Sequence, residues 1–142
     1  MEIKKILVPV DGSDASKHAL ADAIDLAKIH NAKLILLAVA DVTEAAYPIM
    51  GVTLDKDGFY NVKKKAEAML ATLKETVPSD VDLEAEVENG IPGMVISNMV
   101  EDEKIDIVVM GNSGKGAVSS FIMGSVSQYV IHHVKCPVLV VK

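Results

Sequence analysis

Gly111-Asn112-Ser113-Gly114, a nine-residue spacer and then Gly124-Ser125 are the residues whose types and spacing best support chemistry. The apolar run Ile107-Val108-Val109-Met110 precedes them and an amphipathic stretch follows, which reads as a strand, an anion-cradling loop and a helix start. Glycines let backbone N–H groups approach an anion where a Cβ would obstruct them. A helix start adds orphan N–H groups and the positive end of the helix dipole. The predicted chemistry is phosphate binding and, with it, nucleotide binding. Gly111 and Gly114 alone would read better as turn glycines with positive φ, but a plain turn does not require the second element at 124–125. Ser125 and Gln128 also fit a capping box at the start of a helix, a role compatible with phosphate binding because a serine cap leaves other first-turn amides available.

A second candidate follows the first apolar run, in Val8-Pro9-Val10-Asp11-Gly12-Ser13. A carboxylate at a strand terminus has a fixed direction and can accept hydrogen bonds from two adjacent hydroxyls, which suits Asp11 to a sugar. Asp before Gly also caps turns. Lys115 is either a phosphate partner or a solvated lysine. All 14 basic residues are lysines, so the chain supplies no arginine finger or bidentate arginine clamp. A bound phosphate must therefore rely on backbone amides, hydroxyls and lysine.

Other constellations fail on spacing. His132 and His133 are adjacent on a predicted helix, so their side chains diverge by about 100° and do not converge on one metal. Asp55-Lys56-Asp57-Gly58 lacks the spacing and terminal glutamate of a calcium loop. The P-loop pattern G-x4-G-K-[ST] is absent. Cys136, beside Pro137, reads as the residue leading into a strand and not as a nucleophile.

The elements that must position these residues alternate between β-branched or aliphatic runs and stretches of helical spacing. Strands are predicted at Lys5 to Val10, Lys33 to Val39, Val81 to Val87, Asp106 to Met110 and Pro137 to Val141. Most are nearly continuous apolar runs, as in strands covered on both faces. Helices are predicted at Ala15 to His30 with Ser13 or Asp14 as the cap, Asn61 to Thr76 before Pro78, Pro92 to Glu103, and Ser125 to His133. The expected fold is α/β: a single-domain, Rossmann-like, open doubly wound sheet of five parallel strands with four helices, spanning 1–142. If the first and fourth strands are neighbours at the topological switch point, the Asp11 and Gly111 loops meet over one crevice. The interval Asp41 to Gly58 is long for a connection and is expected to be either a mobile lid or a disordered or locally packed insertion, with Tyr47, Ile49 and Met50 as anchors against a partner or the nucleotide.

The 142 residues, half of them hydrophobic, suffice for one substantial core. The longest apolar run, near Leu34 to Ala40, is far short of the roughly 20 residues a membrane helix needs. A single cysteine, with no visible signal segment, points to a reducing, cytoplasmic setting. A net charge of −6 without a basic stripe disfavours nucleic-acid partners, and Lys63-Lys64-Lys65 reads as an exposed helix face.

On these residues the chain resembles the universal stress protein family, specifically its ATP-binding subgroup, whose loop follows G-x2-G-x9-G-[ST]. Gly111, Gly114, Gly124 and Ser125 occupy every fixed position. The likeness extends through Ile6 to Ser13, Leu36-Leu37-Ala38-Val39, Gly90-Ile91-Pro92, Asp106 to Gly111, and Gly124 through Val141. The resemblance implies that Asp11 holds the ribose, Pro9 and Val10 line the same wall, and backbone at Val39 reads adenine. Gly111, Gly114, Gly124 and Ser125 would hold the phosphates of ATP, with Mg or Mn accompanying them and Lys115 the remaining cation of the spacer. It also implies a homodimer through the last strand, Pro137 to Val141, and a nucleotide-dependent regulator in stress response with a protein partner the sequence does not identify. Many members carry His where this chain has Ala38, and basic residues where it has Ser119 and Ser120. With no catalytic base or arginine identified, the pattern favours holding ATP over consuming it. Slow ATP hydrolysis or phosphotransfer, or a nucleotide-free dimerisation module, are the alternatives.

Overall fold

The alternating pattern folds into strands β1 (Lys5–Val10), β2 (Lys33–Asp41), β3 (Leu83–Gly90), β4 (Ile107–Gly111) and β5 (Val138–Val141). Helices α1 (Asp14–His30), α2 (Lys56–Lys74), α3 (Pro92–Asp102) and α4 (Ser125–His133) connect them. The computed structural model describes residues 1–44, 56–112 and 123–142. Its five strands form one sheet of order β3-β2-β1-β4-β5, with every pairing parallel. This is the expected doubly wound α/β sheet. Its switch point lies between β1 and β4, where Ile6 pairs with Ile107 and Leu7 with Val108. The loops after those two strands therefore open side by side at the carboxyl edge, where such sheets bind ligands.

Alternation along β2 divides the core between the two faces. Leu34, Leu36 and Ala38 pack with Ala19, Leu20, Ala66 and Leu70 beneath α1 and α2. Ile35 and Leu37 pack with Ile96, Met99 and Val130 beneath α3 and α4. Burial on both faces explains why the central strands read as continuous apolar runs. Each fully buried Leu or Ile stabilises the fold by about 1.5–3 kcal/mol.

Several boundaries differ from the sequence expectation. β2 runs on to Asp41 and β3 to Gly90, because the parallel ladder continues through Val39↔Glu88, Ala40↔Asn89 and Asp41↔Gly90. Backbone pairing there proceeds regardless of side-chain polarity. α2 starts at Lys56, not Asn61; its first turn carries Asp57 at the favourable end of the dipole but little of the apolar periodicity that marks its later turns. It ends at Lys74, not Thr76, with the Val77 N–H on the Lys74 carbonyl, so the chain leaves the helix before the restriction imposed by Pro78. The expected lid or insertion falls largely on 45–55, with Tyr47, Ile49 and Met50, outside the described residues. None of the helices among the described residues is long and apolar enough to cross a membrane.

Candidate functional site

At the first strand exit, Gly12 takes φ 83°, a left-handed conformation that glycine adopts without a Cβ penalty. That turn brings Asp11 back over the start of α1, where its Oδ1 accepts the Ser13 N–H at 2.9 Å. Ser13 is the N-cap, its Oγ accepting the Ser16 N–H at 3.2 Å. Asp11 therefore fills the turn-capping role, and it also lines the cleft above the switch point.

The other wall begins at Gly111. A Cβ there would lie 2.9 Å from the Ala15 carbonyl carbon and 3.0 Å from the Ser16 nitrogen, so the end of β4 and the start of α1 meet backbone to backbone. A turn glycine at 111 would take a positive φ; among the described glycines that conformation belongs to Gly12 and Gly90 instead. Close approach, not turn dihedrals, accounts for this glycine.

At α4 the N-cap is Gly124, with extended φ/ψ, and Ser125 is the first helical residue. The capping box expected between Ser125 and Gln128 does not form. The Gln128 amide N–H donates to the Gly124 carbonyl at 3.1 Å, and its Nε2 reaches the Met123 carbonyl at 3.2 Å. The box fails because glycine one position earlier already supplies the extended cap geometry. Ser125 is exposed at the helix mouth, where the first-turn amides have no intrahelical acceptor.

These walls enclose a cleft of about 470 Å³, within the range of small-molecule sites. Pro9, Val10, Asp11, Val39, Gly111, Gly124 and Ser125, all singled out from sequence, line it together. Gly114 and Lys115 lie outside the described residues. Sequence reasoning missed Ser13, Ser16, Asp41, Glu44, Lys65 and Ser127, which also line the cleft. Ser13 and Ser16 were findable, because the start of α1 must abut the carboxyl end of β1. Lys65 was read as part of an exposed helix face; it is exposed, yet it stands on the cleft wall that α2 contributes. Asp41 forms its own turn, accepting the Thr43 N–H at 2.9 Å and the Thr43 hydroxyl at 2.6 Å.

Away from the cleft, Cys136 is a half-buried thiol just before β5, and burial raises its pKa, which disfavours the thiolate a nucleophile needs. His133 stacks on Tyr129 with ring centroids 3.8 Å apart, and its Nδ1 lies 2.7 Å from the Tyr129 carbonyl. Among the described residues, no group of three or more His, Cys, Asp or Glu is arranged to hold a metal ion.

A universal stress protein of Methanocaldococcus jannaschii is 34% identical over 149 residues, covering 98% of this chain and 82% of that protein. The solved universal stress protein UspA of Lactobacillus plantarum superposes with TM-score 0.77 at 28% identity, covering 100% of this chain and 99% of that one. A universal stress protein solved in complex with cAMP superposes with TM-score 0.64 at 25% identity, covering 100% and 98%. The model of the universal stress protein family matches residues 2–142, and the chain belongs to that family.

Proposed function

We propose that the chain binds an adenine nucleotide, ATP with Mg or Mn, in the cleft at the β1/β4 switch point, and acts as a nucleotide-dependent regulator. The observation that carries this reading is the convergence on one cleft of every described residue that the sequence assigned to the nucleotide site. Each wall suits one part of the ligand. Val39, half-buried near the carboxyl end of β2, offers backbone groups to a base. Asp11 offers a carboxylate to the ribose. The first-turn amides of α4 and the Ser125 hydroxyl offer donors to phosphate. The relative solved with cAMP supports an adenine nucleotide as the ligand class.

A divalent cation fits this donor set as a passenger of the phosphates. Magnesium ordinarily keeps several waters and takes one or two carboxylates together with phosphate oxygens, so it does not need a protein cage. Asp11, Asp41 and Glu44 are the carboxylates lining the cleft among the described residues. The cation would screen a polyphosphate from these acids. Lys65 is the basic side chain on the described wall.

The same reading has the protein in the cytoplasm as a homodimer through β5, where nucleotide occupancy changes the surface offered to a regulatory partner. Isothermal titration of nucleotide-free protein with ATP and magnesium or manganese tests the binding step. Saturable binding that Asp11→Ala weakens is expected. No heat of binding with either metal would overturn the reading.

A further inference from the structure

Three polar residues are buried among the described ones, Ser16, Asn112 and Ser127, and all three lie where α1, β4 and α4 meet. Ser127 is only 2% exposed, in the first turn of α4. Alanine there would favour the helix more and would avoid desolvating a hydroxyl, so the serine calls for a specific partner. Its Oγ donates to the Gly111 carbonyl at 2.8 Å. A second bond runs parallel to it: the Gly124 N–H donates to the Asn112 carbonyl at 2.7 Å. Together they fasten the last residues of the β4 segment to the N-cap and first turn of α4, at the two ends of 113–122.

The acceptor is itself held on other sides. Gly111 lies against the Ala15–Ser16 backbone of α1 and pairs with Val141 of β5, and the Asn112 N–H donates to the Val141 carbonyl at 2.7 Å. Ser127 thus ties α4 to a point already fixed by α1 and by the sheet. We infer that Ser127 is a positioning residue for the phosphate wall. Through the Gly111 carbonyl it sets where the first-turn amides of α4 stand relative to Asp11 across the cleft. This inference rests on the nucleotide reading above. It assigns to a buried hydroxyl the preorganisation that an anion site built from backbone amides requires.

Titration of the wild type, Ser127→Ala and Ser127→Cys with magnesium–ATP and with adenosine tests it, alongside urea unfolding of each protein. In Ser127→Ala, ATP affinity is expected to fall about tenfold while adenosine affinity stays within about twofold, because only the phosphate wall has lost its tie. Unchanged ATP affinity, or an equal fall for both ligands, overturns the positioning role. Ser127→Cys keeps the side-chain size but weakens the donor, and should Ser127→Ala not fold, the same comparison on it decides. A wild type that binds neither ligand overturns the nucleotide reading itself, and the positioning role with it.

Discussion

Alanine at position 111 would place its Cβ 2.9 Å from both the Ala15 carbonyl carbon and the Ala15 Cβ. Backbone cannot yield as a flexible side-chain tip does, so α1 or β4 must shift, and overpacking of this kind costs about 1–3 kcal/mol. Gly111→Ala is therefore expected to lower the urea midpoint, and a midpoint equal to that of the wild type would show that the α1–β4 contact is slack. The residue illustrates what a sequence motif does and does not convey. The G-x2-G-x9-G-[ST] spacing located Gly111 correctly on the cleft wall. It did not convey that α1 packs against it, because Ala15 and Ser16 are about a hundred positions away in sequence and meet it only once the sheet order is set. Ser125 carries the converse lesson: Ser-x-x-Gln matches a capping box, but the extended cap conformation falls one residue earlier, on Gly124. A side-chain pattern fixes the phase of a cap only when the preceding residue does not adopt the cap geometry itself.

Among the elements, the central strands were legible because burial on both faces left continuous apolar runs, as at Leu34 to Ala38. β3 was harder to delimit. Glu84, Glu86 and Glu88 alternate with Leu83, Ala85 and Val87, and the pairing with β2 carries the strand through Asn89 to Gly90. The contribution of α2 to the cleft was not legible, since which helix face lines a cleft depends on how the helix docks across the sheet. The glutamates of β3 make a prediction at this scale. Lys33 pairs with Glu84 at 2.8 Å, and Glu84 and Glu86 can share a hydrogen bond only while Glu86 holds a proton. The Glu84 pKa is lowered, first by its hydrogen bonds to Lys33 and Glu86; the Glu86 pKa is raised, first by burial and then by its bond and repulsion with Glu84. A carboxyl whose folded pKa is raised holds its proton more tightly folded than unfolded. Its contribution to stability is complete below the ordinary glutamate value and is lost as pH rises through the raised one. At neutral pH the ionised Glu86 is thus a net cost. Glu86→Gln keeps a donor for Glu84 without that charge and should raise Tm by roughly 2 °C near neutrality. The gain should vanish in acid, where Glu86 is protonated. A gain that persists unchanged at low pH would rule out ionisation of Glu86 as its source.

At the scale of the whole molecule, the sheet ends in two unlike edges. β3 carries its glutamates, charges of the kind that discourage strand addition at an open edge. β5 is Val-Leu-Val-Val, and Leu139 is 40% exposed, an apolar edge without such protection. An unguarded edge is compatible with a stable protein when a second copy covers it, and a two-fold arrangement would cover both copies with the same surface. The edge is also continuous with the cleft, because Gly111 pairs with Val141 and the Asn112 N–H donates to the Val141 carbonyl on the inner side of β5. Strand addition on the outer side would therefore brace the strand against which the proposed phosphate wall rests. Under the proposed homodimer, sedimentation at micromolar concentration should find the wild type as a dimer and Leu139→Lys as a monomer. The substitution should cost little fold stability, since Leu139 is already substantially exposed in the single copy. A monomeric wild type, or a dimer that survives Leu139→Lys undiminished, would place the assembly surface somewhere other than this edge.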